Sequence, residues 1–269
     1  MIKSNAPVTV FVHVHYPDIW RNMSLLVSER MTIPFHLALT SSLPEAEMVV
    51  PSTPLLLSAR FLRLENRGRD ILPFIRSLAG TQDFEFGLKL HTKKSPQRED
   101  GALWRTELIE SLLPPGDGVA NIIQHMQSDH RIGLVTPAGF CLSVRPWLLQ
   151  NTTGLDRIMS ALGTDFSECH LENVFFAAGS MFWFRRSSLI SLTSPNLPTL
   201  FEPEEGQLDG TIAHAMERLF PVEARRLGYV SLAVPALMAS DPSLSSTELL
   251  ELARSHADVP TRYFPVPYV

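Results

Sequence analysis

Short β-branched runs alternate with amphipathic stretches along most of the chain, and that alternation limits the fold more than any other feature. Residues 7–16, PVTVFVHVHY, place valine at alternate positions and read as a strand. PDIWRNMSLLVSER follows directly. Pro17 suits a first helical position, and Trp20, Met23, Leu26 and Val27 fall on one face. Residues 34–42, 61–65, 84–91, 131–137 and 229–235 read as further strands, and 174–185 as a buried strand or strand pair. Asp70 is the expected N-cap of a helix in which Ile71, Phe74, Ile75 and Leu78 share a face and Gly80 is the stop. Helices are also expected at 106–113, 209–220 and 245–256, the last with an imperfect capping pattern at Ser246-Thr247-Glu248. This order predicts a three-layer α/β domain with a mostly parallel central sheet. The prolines sit mainly in connections, so they punctuate one domain over residues 1–269, and VPTRYFPVPYV reads as an extended surface tail.

Composition narrows the class. Apolar residues make up 45% of the 269 and charged residues 19%, a balance that excludes a disordered chain. The formal net charge of −5 argues against a nucleic-acid partner. Two cysteines, Cys141 and Cys169, are too few for a disulfide scaffold and lack metal-ligand spacing, which fits a reducing, cytoplasmic setting. His13, His15, Asp18 and Arg21 interrupt the first apolar stretch, so neither a signal peptide nor a membrane span is expected.

Parallel α/β sheets bind ligands beyond the carboxyl ends of their strands. The loops after residues 15, 41, 65 and 91 should therefore gather at one rim. His13 and His15 share a strand face; one buried histidine and one at the strand end is favoured over a metal pair. In Glu65-Asn66-Arg67-Gly68-Arg69-Asp70, Asn66 can bond a base or ribose, and Arg67 and Arg69 can clamp phosphate. Gly68 permits a positive φ, and the helix at Asp70 adds N–H donors; the competing view is a charged, capped turn. Lys89 and His91 share a strand face, and Lys93 and Lys94 follow, a basic focus suited to a leaving diphosphate. Further on, Gly179 allows close backbone approach and Trp183 could stack on a sugar, although most of that run is expected to be core. Glu204, Glu205 and Asp209 crowd the start of a helix. Asp209 is either its N-cap or a general base, and His214, Glu217 and Arg218 continue the helix.

Five segments in order, VHVHYPDIW, ENRGRDILPFI, KLHTKKS, AAGSMFWFR and EGQLDGTIAHAMERLF, resemble the rhamnan synthesis protein F family over roughly residues 9–230. The resemblance implies a glycosyltransferase of polysaccharide assembly, notably a rhamnosyltransferase, on a GT-A-like, Rossmann-like domain. It implies a nucleotide-sugar half at about 7–140, an acceptor and catalytic half at about 141–240, and a C-terminal helix and tail at 241–269. Transfer would invert the anomeric centre, with Asp209 as base and Glu205 and Glu204 as runners-up. His15, Asn66, Arg67, Gly68, Arg69, Asp70, His91, Lys93 and Lys94 would bind the donor. Gly179, Ser180, Trp183 and His214 would line the acceptor or sugar pocket.

GT-A enzymes often hold a divalent metal on an Asp-x-Asp motif. None occurs in this chain, and His91-Thr92-Lys93 stands where it would align. A metal-independent site without cofactor is therefore expected, Mg²⁺ or Mn²⁺ being the alternative. The partners implied are a dTDP-rhamnose-like donor and a glycan or lipid-linked acceptor. A lipid-linked acceptor would bring the protein to the inner face of the cell membrane by peripheral contact. The rival from another class is a non-catalytic module that binds a nucleotide-sugar or glycan. A hydrolase is disfavoured, because no Gly-x-Ser-x-Gly, Walker loop or His-Glu-x-x-His is present.

Overall fold

A computed structural model describes residues 8–92, 94, 100–166, 171–207 and 209–264. Nine strands and eight α-helices are found among the described residues. In chain order they are β1 (Val8–His13), α1 (Pro17–Arg30), β2 (Phe35–Ser41), β3 (Leu56–Arg63), α2 (Ile71–Ala79), β4 (Phe86–His91), α3 (Gly101–Leu112), α4 (Gly118–Ser128) and β5 (Ile132–Thr136). Then come β6 (Cys141–Ser143), α5 (Thr152–Ala161), β7 (Phe175–Ala177), β8 (Phe182–Arg185), α6 (Ile212–Arg226), β9 (Val230–Ala233), α7 (Val234–Ala239) and α8 (Ser246–Ser255).

Seven strands form one sheet in the order β3-β2-β1-β4-β8-β5-β9, and β6 pairs with β7 outside it. All neighbours in the large sheet are parallel except β8, which runs antiparallel to β4 and β5. Alternate residues feed two cores. Val8, Val10 and Val12 of β1 join residues of α1, α3, α4, α7 and α8 on one face. Phe11 joins α2, α5 and α6 on the other. The expected three-layer α/β fold with a mostly parallel sheet is therefore the fold observed.

Several expected boundaries move. Strand β3 starts at Leu56, earlier than expected; it is an edge strand exposed along most of its length. Helix α3 starts at Gly101, five residues before the expected start. Helix α4 was not among the expected elements, although Val119, Ile122, Ile123 and Met126 bury one helical stripe. Helices α5 and α7 and strand β6 are also additional. Helix α6 runs past Pro221, six residues beyond its expected end. The cap of α8 is Ser245, not Ser246, and its reciprocal bonds with Glu248 make a full capping box. The tail is not wholly superficial. Tyr263 is buried and stacks on Trp104 and Phe140 at ring-centroid distances of 5.7 and 5.3 Å.

Close packing inside the second core is set by Gly87 on β4. It faces Phe184 of β8, and a Cβ built there would lie 2.2 Å from the ring. Phe11, Phe74, Phe84 and Phe182 surround that ring and leave it no room to retreat. Gly87→Ala should therefore cost about 1–3 kcal/mol of unfolding free energy through overpacking. Urea unfolding with an unchanged midpoint would show that the ring can move aside.

Candidate active site at the carboxyl rim of the sheet

The rim is organised around one buried cation. Gly87, Lys89 and His91 point from β4 toward the α2 and α6 layer, so the expected shared face of Lys89 and His91 is observed. The Lys89 side chain is 1% exposed. Its ammonium donates to Asp70 Oδ2 at 2.5 Å, to the Ser180 carbonyl at 2.6 Å and to Ser180 Oγ at 2.8 Å. The rings of Phe74, Phe182 and Phe220 lie within 6.0 Å of it. Burial drives the Lys89 pKa below its ordinary value, against the pull of Asp70. For Asp70, burial acts upward, but the charges of His91 and Lys89 and the Lys89 hydrogen bond outweigh it, and the carboxyl titrates well below the usual range. Asp70 does precede α2 as expected, yet it makes no side-chain cap: its oxygen is committed to Lys89.

Two left-handed turns flank this cation. Gly68 and Arg69 have φ of +66° and +55°, and Gly179 and Ser180 have +98° and +57°. A side chain in this region costs roughly 1–2 kcal/mol per residue. Each strained residue is held by a specific bond. Lys89 holds the Ser180 carbonyl, and Arg69 N–H donates to Glu204 Oε1 at 3.1 Å. Gly68 meets a second demand, since a Cβ there would lie 2.5 Å from Leu72 Cβ. The Gly179 carbonyl accepts from His91 Nε2 at 2.8 Å, which places the proton on that nitrogen. The Gly179 N–H donates to Glu217 Oε1 at 2.9 Å, and Glu217 Oε2 accepts from Arg218 at 2.8 Å.

These bonds shape a cleft of ≈ 80 Å³ lined by Arg69, Asp70, Ile71, His91, Gly179, Ser180, Ala213, His214 and Glu217. Six of those residues were expected at a site, and they come from four separate stretches of chain. Glu217 was expected only as part of the helix. It lies one turn after His214 on α6, and that i, i+3 spacing is the signal that places it on the cleft. Burial and the charge of Arg69 lower the His214 pKa, against the pull of Asp209 and Glu217.

Other expected residues lie elsewhere. Trp183 is not in the pocket: it is fully buried on the opposite face of the sheet and donates its indole N–H to the Leu112 carbonyl at 2.8 Å. Arg67 does not line the cleft either. Its guanidinium donates to the Phe201 carbonyl, at 3.0 Å from Nε, and ties the loop before α6 to the loop before α2. Asn66 is exposed beside it. Asp209 is not the N-cap of α6; Thr211 is, in a reciprocal pair with His214. The Asp209 carboxylate instead accepts from Asn151 Nδ2 at 2.9 Å. Burial raises its pKa, and the bonds from Asn151 and Gly210 more than offset that, so it titrates below the ordinary value. Glu205 is exposed, and its N–H donates to Gln207 Oε1. His15 is exposed two residues past the end of β1, edge-on to the Tyr16 ring, whose centroid lies 5.0 Å from Lys94 Nζ. Lys93 and Cys169 lie outside the described residues, and Cys141 is buried with its thiol pushed up to about 12. Among the described residues, no group of three His, Cys, Asp or Glu side chains is placed to hold a metal ion.

The fold and rim define an α/β domain with a mixed-charge cleft at the carboxyl ends of its parallel strands. The family model of rhamnan synthesis protein F matches residues 1–229, and the chain belongs to that family. Protein WxcX of Xanthomonas campestris pv. campestris strain B100 is 35% identical over 227 residues, covering 82% of this chain and 32% of WxcX. WxcX of strain ATCC 33913 gives the same identity and coverage. The chain thus spans about a third of the length of the curated relatives it matches. Among solved structures, S. aureus TarS 1-349 aligns with 92% of this chain and 69% of its own, at 10% identity and a TM-score of 0.44. No described helix is long and apolar enough to cross a membrane.

His13 reports on this rim. It is buried and its Nδ1 lies 3.1 Å from Thr40 Oγ1. Burial lowers its pKa from 6.5 to about 4, although Asp70 pulls the other way. A depressed histidine stabilises the fold fully above the unfolded pKa, and that contribution is lost as pH falls toward the folded value. Between about pH 7 and pH 4.5 the wild type should lose roughly 2–3 kcal/mol more stability than His13→Gln. Parallel pH profiles for the two proteins in chemical unfolding would show that His13 is not held neutral.

Proposed function

We propose that the chain is a glycosyltransferase domain of polysaccharide synthesis. It would move a sugar from a nucleoside-diphosphate donor to a glycan or lipid-linked acceptor with inversion. The observation that carries this reading is the cleft itself, in a chain of a family described by rhamnan synthesis. It joins Arg69, His91 and His214 to carboxylates at the carboxyl rim, the place where parallel α/β sheets take their ligands. The family description makes a dTDP-rhamnose-like donor the first to try.

The acceptor hydroxyl attacks the anomeric carbon, and the bond from that carbon to the diphosphate oxygen breaks. The electron pair leaves with the diphosphate, whose growing charge faces Arg69 and His91. The hydroxyl proton passes to a carboxylate, which we assign to Asp209. Asp209 is ionised at neutral pH, and its charge is felt by His214 on the cleft wall. A general base contributes typically 10²–10⁴-fold. Asp209→Asn, which can keep the Asn151 contact, should fold normally and lose about that factor in transfer rate. Undiminished transfer by the variant would move the base to another carboxylate.

A divalent metal is a poor match for these side chains. Asp70 already faces the Lys89 ammonium at 2.5 Å, and His91 ends β4 with Thr92 directly after it. Thr92 Oγ1 is taken by the N–H groups of His15 and Tyr16. The chain's own cations would carry the leaving diphosphate instead. Transfer should therefore persist in excess EDTA to within about twofold. Loss of activity that Mn²⁺ or Mg²⁺ restores would sink the metal-independent route.

A further inference from the structure

Arg69 is the one cleft residue whose guanidinium and backbone N–H both engage the same carboxylate. Its N–H donates to Glu204 Oε1 at 3.1 Å, and its Nε lies 3.8 Å from Glu204 Oε2. Its Nη2 donates to the Gln207 carbonyl, so the left-handed turn at Gly68-Arg69 clasps the 204–207 stretch. The ion pair is loose and partly open to water, with side-chain exposures of 38% and 25%. The two carboxylates that line the cleft are balanced elsewhere, Asp70 by Lys89 and Glu217 by Arg218. Glu204 is thus the acidic side chain set directly on Arg69 from outside the cleft lining.

We propose that Glu204 is an internal counter-anion on Arg69 that the donor diphosphate must displace, so that it sets donor affinity by competition. This rests on the nucleotide-sugar reading above and specifies how its anionic part is received. A diphosphate offers more charge and more acceptor oxygens than a carboxylate, so it can take over both the N–H and the guanidinium. A loose, exposed pair is the kind that yields at little cost. The exchange also confers selectivity. A ligand carrying a single weak anion gains little by replacing Glu204, whereas a diphosphate gains bonds.

Titration calorimetry with dTDP and UDP tests this on the wild type, Glu204→Gln, Glu205→Gln and the double variant Arg69→Met/Glu204→Gln. Glu205 removes the same charge from the same exposed stretch without touching Arg69. Glu204→Gln should tighten diphosphate binding by about threefold to tenfold. Glu205→Gln should change it less than about twofold, and the double variant should lose the gain. Equal tightening in both single variants would reduce the effect to general electrostatics and overturn the competition. Unchanged or weaker binding by Glu204→Gln, with the wild type still binding nucleotide, would overturn it and leave the donor reading standing. Failure of every variant, wild type included, to bind either nucleotide would remove the donor reading and this inference with it.

Discussion

A lysine ammonium buried in the middle of a sheet fixes the geometry of the whole rim. Moving such an ion out of water costs several kcal/mol unless its donors are all met. Lys89 has three donors, and three acceptors meet them: Asp70 Oδ2, the Ser180 carbonyl and Ser180 Oγ. Those acceptors lie 19 and 91 residues away in sequence. To satisfy one cation, the chain must therefore bring the start of α2 and the turn between β7 and β8 to the same point on β4. The other rim contacts build outward from there. Ser180 held in place positions Gly179, whose carbonyl and N–H receive His91 and Glu217. Glu217 in turn anchors α6 to the cleft.

This arrangement also sorts the charges. The chain is acidic overall, but the cleft mixes three basic side chains with two carboxylates whose charge is already answered. Counting charge along the sequence points to Arg67/Arg69 and Lys93/Lys94 as two basic loops at one end of the sheet. In three dimensions the two arginines part company. Arg69 stands on the cleft wall while Arg67 holds Phe201, a structural bond between segments 134 residues apart. The two arginines differ by two positions and carry different loads, because Gly68 and Arg69 turn left-handed between them and Asp70.

What could be read from the sequence follows from how far each interaction reaches. Strands β1, β2, β4 and β5 are buried on both faces and show as β-branched or apolar runs, so they stood out, as did α1 and α2 with their apolar stripes. The α4 stripe is equally plain and is a local signal of the same kind. Edge strand β3 begins before its expected start because its short alternation, Leu57, Ala59 and Phe61 against Ser58 and Arg60, covers no buried face. The run at 174–185 does split into two strands, and the turn between them supplies Gly179 and Ser180. Trp183 could not be assigned locally. Its face is decided by pairing with Leu88 and Val135, which turns it to the α3 side of the sheet. Caps were uncertain for a related reason. Asp70 and Asp209 both stand at helix entrances, where aspartate commonly caps, but distant partners, Lys89 and Asn151, claim their oxygens.

The same competition bears on which carboxylate can take a proton. Asp70 and Glu217 line the cleft, yet each answers a cation, Lys89 in one case and Arg218 in the other. Protonating either would leave that cation without its counter-charge, and for Lys89 this would happen where water cannot compensate. Asp209 is held by different bonds. Its first partner is the neutral amide of Asn151, followed by the Gly210 N–H, so accepting a proton weakens neutral hydrogen bonds and strands no buried charge. A carboxylate that serves as base must change charge without dismantling the scaffold around it. For the transfer we propose, that criterion favours a base in the loop before α6 over one on the wall of the cleft.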